Sequence, residues 1–217
     1  MNAPLQLPIL SGETSWREAA RLADLADICA PTLNLVYLPR ALPQPLLADV
    51  TRQLPHGRGE RRVVTAAADP CLDGLLFDGG ARALHADWRF LIDVYATLTD
   101  AQTVGLRLHV LTGAMCPRFH TDRVGLRLIC TYAGAGTEWL ANEDVRRERL
   151  GHRADGLSDE HSGAVCGPVR RLPTGATALL KGEAWPGHEG RGCVHRSPAA
   201  EDGVPRLIFT IDALADR

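Results

Sequence analysis

No stretch of the 217 residues approaches the roughly 20 consecutive apolar residues that a membrane-spanning helix needs. Met1 to Leu10 carries neither the basic stretch nor the apolar run of a signal peptide, so the expected location is cytoplasmic, with no membrane partner. Charge of one sign is missing too. The 24 Lys and Arg and 26 Asp and Glu give a net charge of -2, which steers the molecule toward neither nucleic acid nor an anionic surface. The two arginine-rich runs, Arg58-Gly59-Glu60-Arg61-Arg62 and Arg146-Arg147-Glu148-Arg149, mix both signs. They lack the aromatic residues that stack single-stranded bases, so no nucleic-acid partner is expected. The six cysteines (Cys29, Cys71, Cys116, Cys130, Cys166, Cys193) contain no CxxC pair and read as reduced thiols rather than a disulfide framework. There is no internal repeat, and Gly134-Ala135-Gly136 is a turn, since a phosphate loop needs a longer glycine pattern ending in Lys-Ser/Thr.

What is present fits one domain, 1-217, with a helical and mixed part over 1-100 and a β core over 101-217. Ser15-Trp16-Arg17-Glu18 has the form of a capping box, with Leu22, Leu25, Ala26 and Ile28 following at helical spacing. Thr32-Leu38 reads as a strand closed by Pro39, and Pro45-Leu54 as a short helix. Residues 55-80, rich in Gly, Pro and Arg, read mostly as loop. The pattern over His85-Leu98 predicts a helix with Trp88, Leu91, Ile92, Tyr95 and Leu98 in one apolar stripe. From Thr103 the period becomes two: Val104, Leu106, Leu108 and Val110 alternate with Gly105, Arg107 and His109, the last expected to face solvent or a hydrogen-bond partner. Further strands are predicted at Val124-Tyr132, Gly136-Leu140, Val169-Leu172, Ala176-Lys181, Gly192-Arg196 and Pro205-Asp212, and a helical turn with an exposed loop at 141-165. Together these predict an α+β protein: a double-stranded β-helix, or jelly roll, with N-terminal helices packed outside one sheet.

The chemistry sits in His120-Thr121-Asp122 and in His195, 73 residues beyond Asp122. Ligands two apart on an extended segment point to one face, so two imidazoles and a carboxylate can hold one side of a divalent metal and leave other positions open. That is the facial arrangement of non-haem Fe(II) oxygenases. On the last strand, Leu207, Phe209 and Ile211 suit the core. Arg206, Ile208, Thr210 and Asp212 make a mixed row that needs a polar ligand or water. Arg206 in such a row can clamp a carboxylate bidentately, with Thr210 and Tyr132 offering hydroxyls to the same anion. A second donor set stays open: Cys116, His120, Cys193 and His195 would make a tetrahedral zinc site with Asp122 outside it. Glu138, Trp139, Glu183 and Trp185 are candidates for a substrate pocket, and His188 for a loop over it or an exposed position.

The segment Gly175-Ala176-Thr177-Ala178-Leu179-Leu180-Lys181-Gly182, then His195-Arg196-Ser197-Pro198 and Arg206, resembles the C-terminal half of Fe(II)/2-oxoglutarate dioxygenases. More closely, Cys116-Pro117-Arg118-Phe119-His120-Thr121-Asp122, Thr131-Tyr132-Ala133-Gly134-Ala135-Gly136-Thr137-Glu138-Trp139-Leu140 and Leu180-Lys181-Gly182-Glu183-Ala184-Trp185-Pro186-Gly187 resemble the bacterial DUF1826 family, over roughly residues 85-213. The first resemblance implies Fe(II) at His120, Asp122 and His195 and 2-oxoglutarate at Arg206. The second implies a link to zinc homeostasis and no particular reaction. The chain departs from the dioxygenase pattern at Ile208, where a Ser follows the cosubstrate-binding basic residue by two positions. The expected function is therefore a dioxygenase-like oxidoreductase using Fe(II) with 2-oxoglutarate on an unknown small-molecule or protein substrate. The alternatives are a Zn(II)-binding protein of metal homeostasis and a cupin-like scaffold without a working site.

Overall fold

The strands that follow the longest apolar helix give the chain its framework: they bury one parity under helices and turn the other parity to the opposite face of the sheet. The computed structural model describes residues 14-55, 59-151, 156-199 and 204-214. In chain order it contains β1 (Trp16–Glu18), a 3-10 helix (Leu22–Cys29), β2 (Leu35–Leu38), α1 (Gln44–Gln53), β3 (Gly59–Ala66), α2 (Arg82–Thr99), β4 (Thr103–Leu111) and β5 (Leu126–Ala133). Then come β6 (Glu138–Leu140), 3-10 turns at Asn142–Asp144 and Arg147–Arg149, β7 (Arg170–Arg171), β8 (Thr177–Lys181), β9 (Val194–Arg196) and β10 (Arg206–Ala213). A seven-stranded sheet runs β1-β2-β8-β5-β10-β4-β3, and a three-stranded sheet runs β7-β6-β9. All pairs are antiparallel except β1–β2. This is an α+β architecture, and among the described residues no helix is long and apolar enough to cross a membrane.

The helices cover one face of the large sheet. On α2, Trp88, Leu91, Ile92 and Tyr95 are buried at the i, i+3, i+4, i+7 spacing that makes one stripe. Trp88 stacks on Phe209 of β10 at 5.2 Å between ring centroids. The Tyr95 hydroxyl donates to the Leu126 carbonyl (2.8 Å) and accepts from Ala213 N–H (2.7 Å), tying α2 to two strands. Leu106 and Leu108 of β4, Leu128 and Cys130 of β5, and Leu207, Phe209 and Ile211 of β10 complete this core. The opposite face carries a second cluster in which Leu35, Tyr37, Ile129, Leu180 and Ile208 meet Trp139 of the small sheet.

Two expectations are corrected, and one strand was not foreseen. Ser15-Trp16-Arg17-Glu18 does not cap a helix. It leads into and forms β1, because Trp16 gains more by packing edge-on to Trp139 (5.1 Å) and beside Tyr37 than by opening a helix. The helix starts later, where Asp24 accepts hydrogen bonds from the N–H groups of Ala20 and Arg21. The described part of 55-80 is mostly loop, as expected, but within it β3 runs for eight residues along β4 at the sheet edge. Its arginines and glycine, read as loop composition, are also what an edge strand carries to discourage pairing with other chains. His188 is buried rather than exposed.

Candidate metal centre

Phe119, fully buried against Leu140, Val145 and Val194, anchors the segment that carries the first two candidate ligands. Its N–H donates to Asp159 Oδ2 at 2.6 Å. His120 then pairs with His195 as an isolated antiparallel bridge, exchanging two backbone hydrogen bonds of 3.0 Å, which sets their rings 4.7 Å apart. Asp122 is fixed from behind: its carbonyl accepts Glu183 N–H at 2.8 Å, over a glycine. A Cβ on Gly182 would stand 2.2 Å from the Val124 carbonyl and 2.7 Å from that of Asp122, so only glycine allows this approach.

The result is a group in which one ligand atom each from His120, Asp122 and His195 lies within 4.8 Å of the others. His120 Nδ1 meets the Arg118 carbonyl at 2.9 Å and His195 Nδ1 meets the Cys193 carbonyl at 3.1 Å. A carbonyl only accepts, so each Nδ1 donates to it, and Nε2 is the ring atom left to face the site; that of His195 lies 3.3 Å from Asp122 Oδ2. Burial raises the Asp122 carboxyl, but the His195 contact and the charges of His195, Arg127 and His120 outweigh this and hold it well below the usual carboxylate range. Burial and the neighbouring His195 depress His120. Near neutral pH both groups therefore stand in their metal-binding forms.

The three side chains line a cavity of about 240 Å³ whose floor is the polar face of the large sheet, including Arg127 and Ile129 of β5, Ile208 and Thr210 of β10, and Arg107 and His109 of β4. Arg127 Nη1 donates to Asp122 Oδ2 at 2.6 Å, and its Nε and Nη2 donate to the two oxygens of Asp212 at 2.7 Å each. Arg206 is buried at the same face. Its Nε donates to the Ala135 carbonyl (2.6 Å) and its Nη1 to Ser197 Oγ (3.2 Å), while Nη2 has no partner among the described residues. No carboxylate is hydrogen-bonded to it, and burial brings this arginine down to about 10. A buried guanidinium with a spare donor is suited to an anionic ligand.

Several sequence candidates do not join the cavity. Tyr132 shares the parity of Leu128 and Cys130, so it faces α2, and its hydroxyl donates to Asp87, itself bound by Arg40. Glu138 is taken by Arg171 (2.9 Å) and Arg196 (2.8 Å). Trp139 lies in the second apolar cluster, with Arg170 over its ring at 5.3 Å. Glu183 accepts Gly192 N–H at 3.2 Å and also Gly190 N–H, shaping the loop before β9, and Trp185 lies under Lys181 Nζ at 5.0 Å. Of the thiols, Cys116 lines the cavity while Cys193 is buried in the apolar cluster, where burial pushes it up to about 12; neither joins the ligand group. His109 is buried on the cavity floor, 3.6 Å from Glu60. The residues missed from sequence are Arg127, Asp212, Arg107, Glu60 and Ser197. The first three were accessible through parity, being on the same face of their strands as Arg206 and Thr210. Glu60 was hidden by the loop assignment of β3.

Comparisons with known proteins fall in line with this geometry. A dioxygenase for auxin oxidation from rice superposes with a TM-score of 0.51 at 14% identity, covering 94% of this chain and 84% of its own. A prolyl-4-hydroxylase from Pseudomonas putida superposes with a TM-score of 0.50 at 14% identity, covering 91% and 96% respectively. At such identities the likeness is one of fold alone. No curated protein matches the sequence. The family model described as "Protein of unknown function (DUF1826)" matches residues 19–212, and the chain belongs to that family.

Proposed function

We propose that this chain is a mononuclear non-haem Fe(II)- and 2-oxoglutarate-dependent oxygenase, a single domain built on a double-stranded β-helix. The observation that carries the reading is the His120, Asp122 and His195 group in a cavity lined by Ser197, Ile208 and Thr210, with buried Arg206 on the same side of β10 as Ile208 and Thr210, hydrogen-bonded to Ser197 and with its Nη2 partnerless among the described residues. The donor set fits the metal: two imidazole nitrogens and one carboxylate are borderline-to-hard ligands that leave further positions open. When bound, Fe(II) with 2-oxoglutarate supplies the redox chemistry that activates O2. The protein's part is orientation and exclusion of water. Arg127 donates to Asp122 Oδ2 and so fixes the carboxylate that would hold the metal together with His120 and His195. Arg206, with its partnerless Nη2, would receive a carboxylate of the cosubstrate. Ser197, reached from the turn after β9, offers the hydroxyl that Ile208 cannot supply two positions past Arg206. Ile129 and Ile208 form the apolar part of the cavity floor.

The test is an anaerobic titration of metal-free protein with Fe(II) and then 2-oxoglutarate, read by the visible metal-to-ligand charge-transfer band. A saturable band is expected. His120→Ala should abolish it, and Arg206→Met should abolish it while Fe(II) binding persists. Absence of the band in the wild-type chain, with zinc held tightly by the same three residues, overturns the oxygenase reading in favour of metal homeostasis.

A further inference from the structure

The cavity has a second polar end that the cosubstrate reading leaves unused. Arg107 of β4 stands directly opposite Thr210 of β10 in the sheet register, and both line the cavity. Thr210 is 7% exposed and its hydroxyl has no partner. The Arg107 guanidinium approaches Glu60 at 3.7 Å and Asp212 at 3.6 Å, beyond hydrogen-bonding distance. Both carboxylates are held more closely by other arginines: Asp212 by Arg127 at 2.7 Å, and Glu60 by Arg62 at 2.6 Å. The Arg107 guanidinium makes no hydrogen bond among the described residues, and its side chain keeps 36% of its surface. Arg127 and Arg196, the other arginines lining the cavity, are each hydrogen-bonded to carboxylates.

We propose that Arg107 and Thr210 form a second anion subsite that receives a carboxylate or phosphate group of the primary substrate. The inference rests on the assignment of Arg206 to the cosubstrate, and it is separable from it. Ile208 lies between Arg206 and Thr210 on the cavity side of β10, so an anion at one end does not reach the other. At about 240 Å³ the cavity is below the roughly 300–1,000 Å³ usual for ligand pockets, so the substrate is a small acid or enters by its acidic end.

The test uses the full chain loaded with redox-inert Zn(II) and saturated with 2-oxoglutarate, titrated with butyrate, ethyl phosphate or 1-butanol and followed by ligand-observed NMR. Either butyrate or ethyl phosphate should bind, which tells carboxylate from phosphate, and 1-butanol should bind at least tenfold more weakly. Arg107→Ala should weaken the acidic probe at least tenfold, and Thr210→Val a few-fold, with 2-oxoglutarate binding unchanged in both. Should Arg107→Ala fail to fold, Arg107→Gln carries the same expectation. Acid binding undiminished in the Arg107 variants means that the probe sits on the metal, and overturns the proposal. So does failure of both acids to bind the wild-type chain. If 2-oxoglutarate itself does not bind, the Arg206 assignment fails, and the same titration without it still decides Arg107.

Discussion

Replacing Arg127 by Met removes three charge-assisted hydrogen bonds at once and strands two carboxylates in the cavity wall. Arg127 is bound at 2.6 Å to Asp122 and at 2.7 Å twice to Asp212, whose side chain is 4% exposed. Removing one partner of a buried ion pair costs about 3–5 kcal/mol, because the other charge is left desolvated. Arg107 remains 3.6 Å from Asp212 and takes up part of that charge, so the lower end, about 3 kcal/mol, is expected. For a chain of this size that lowers Tm by roughly 6–12 °C. Urea and thermal unfolding of the metal-free chain, followed by circular dichroism, would measure it, and a cycle with Asp212→Asn should return an interaction of about 2 kcal/mol. The pH dependence follows from Asp122. Its folded value is depressed, so the associated stability is complete above its ordinary value of about 3.9 and is lost as pH falls below it. Arg127→Met depresses Asp122 less and should lose less stability across that acid window than the wild-type chain. A variant within 1 kcal/mol of wild type at neutral pH, with an unchanged acid profile, would refute the view that Arg127 carries the charge of both carboxylates.

Two further substitutions probe the support of the site. Gly182→Ala places a Cβ 2.2 Å from the Val124 carbonyl and must push the Asp122 segment away, so we expect a loss of about 1–3 kcal/mol in urea unfolding. Metal affinity, measured by competition with a chromophoric chelator, should fall at least tenfold, and unchanged affinity would mean that the glycine does not position Asp122. Cys193→Ala should leave metal content untouched, since the thiol is buried among Leu35, Leu180 and Trp139, and should cost about 1 kcal/mol in lost burial. Loss of metal in that variant would restore the thiolate donor set.

Where periodicity was uninterrupted, the sequence was readable. The stripe over Trp88, Leu91, Ile92 and Tyr95 became α2, and the alternation in Leu207, Phe209 and Ile211 placed those residues in the core with Arg206, Thr210 and Asp212 on the other face. His120, Asp122 and His195 could be picked out because two of them are adjacent in parity and the third follows on a short strand. Errors arose where side chains act through partners distant in sequence. Trp16 becomes a strand residue because Tyr37 and Trp139 await it, which a local capping pattern cannot register. Glu138 looked like a pocket carboxylate because Arg171 and Arg196 are 33 and 58 residues away. Tyr132 was assigned by chemistry against its own parity. The alternation of β5 alone sends it to the helix side.

The division of labour between the two faces of one sheet explains how the chain tolerates so polar a cavity. β10 gives Leu207, Phe209 and Ile211 to the helix-covered core, and that apolar face supplies the packing that fixes the strand. The intervening residues are then free to be chosen for chemistry. Most of their charge is absorbed internally, with Arg127 bridging Asp122 and Asp212 so that no carboxylate on the floor is left without a cation. Two groups on this strand are not absorbed: Arg206 Nη2 and Thr210 Oγ1 are buried and have no partner among the described residues. Each such group costs about 1–3 kcal/mol when left unmade, against a total folding free energy of only about 5–15 kcal/mol. Arg206 and Thr210 face the same side of the strand as the cavity residue Ile208, four residues apart and separated by that isoleucine, which is the placement that two distinct anion subsites would require.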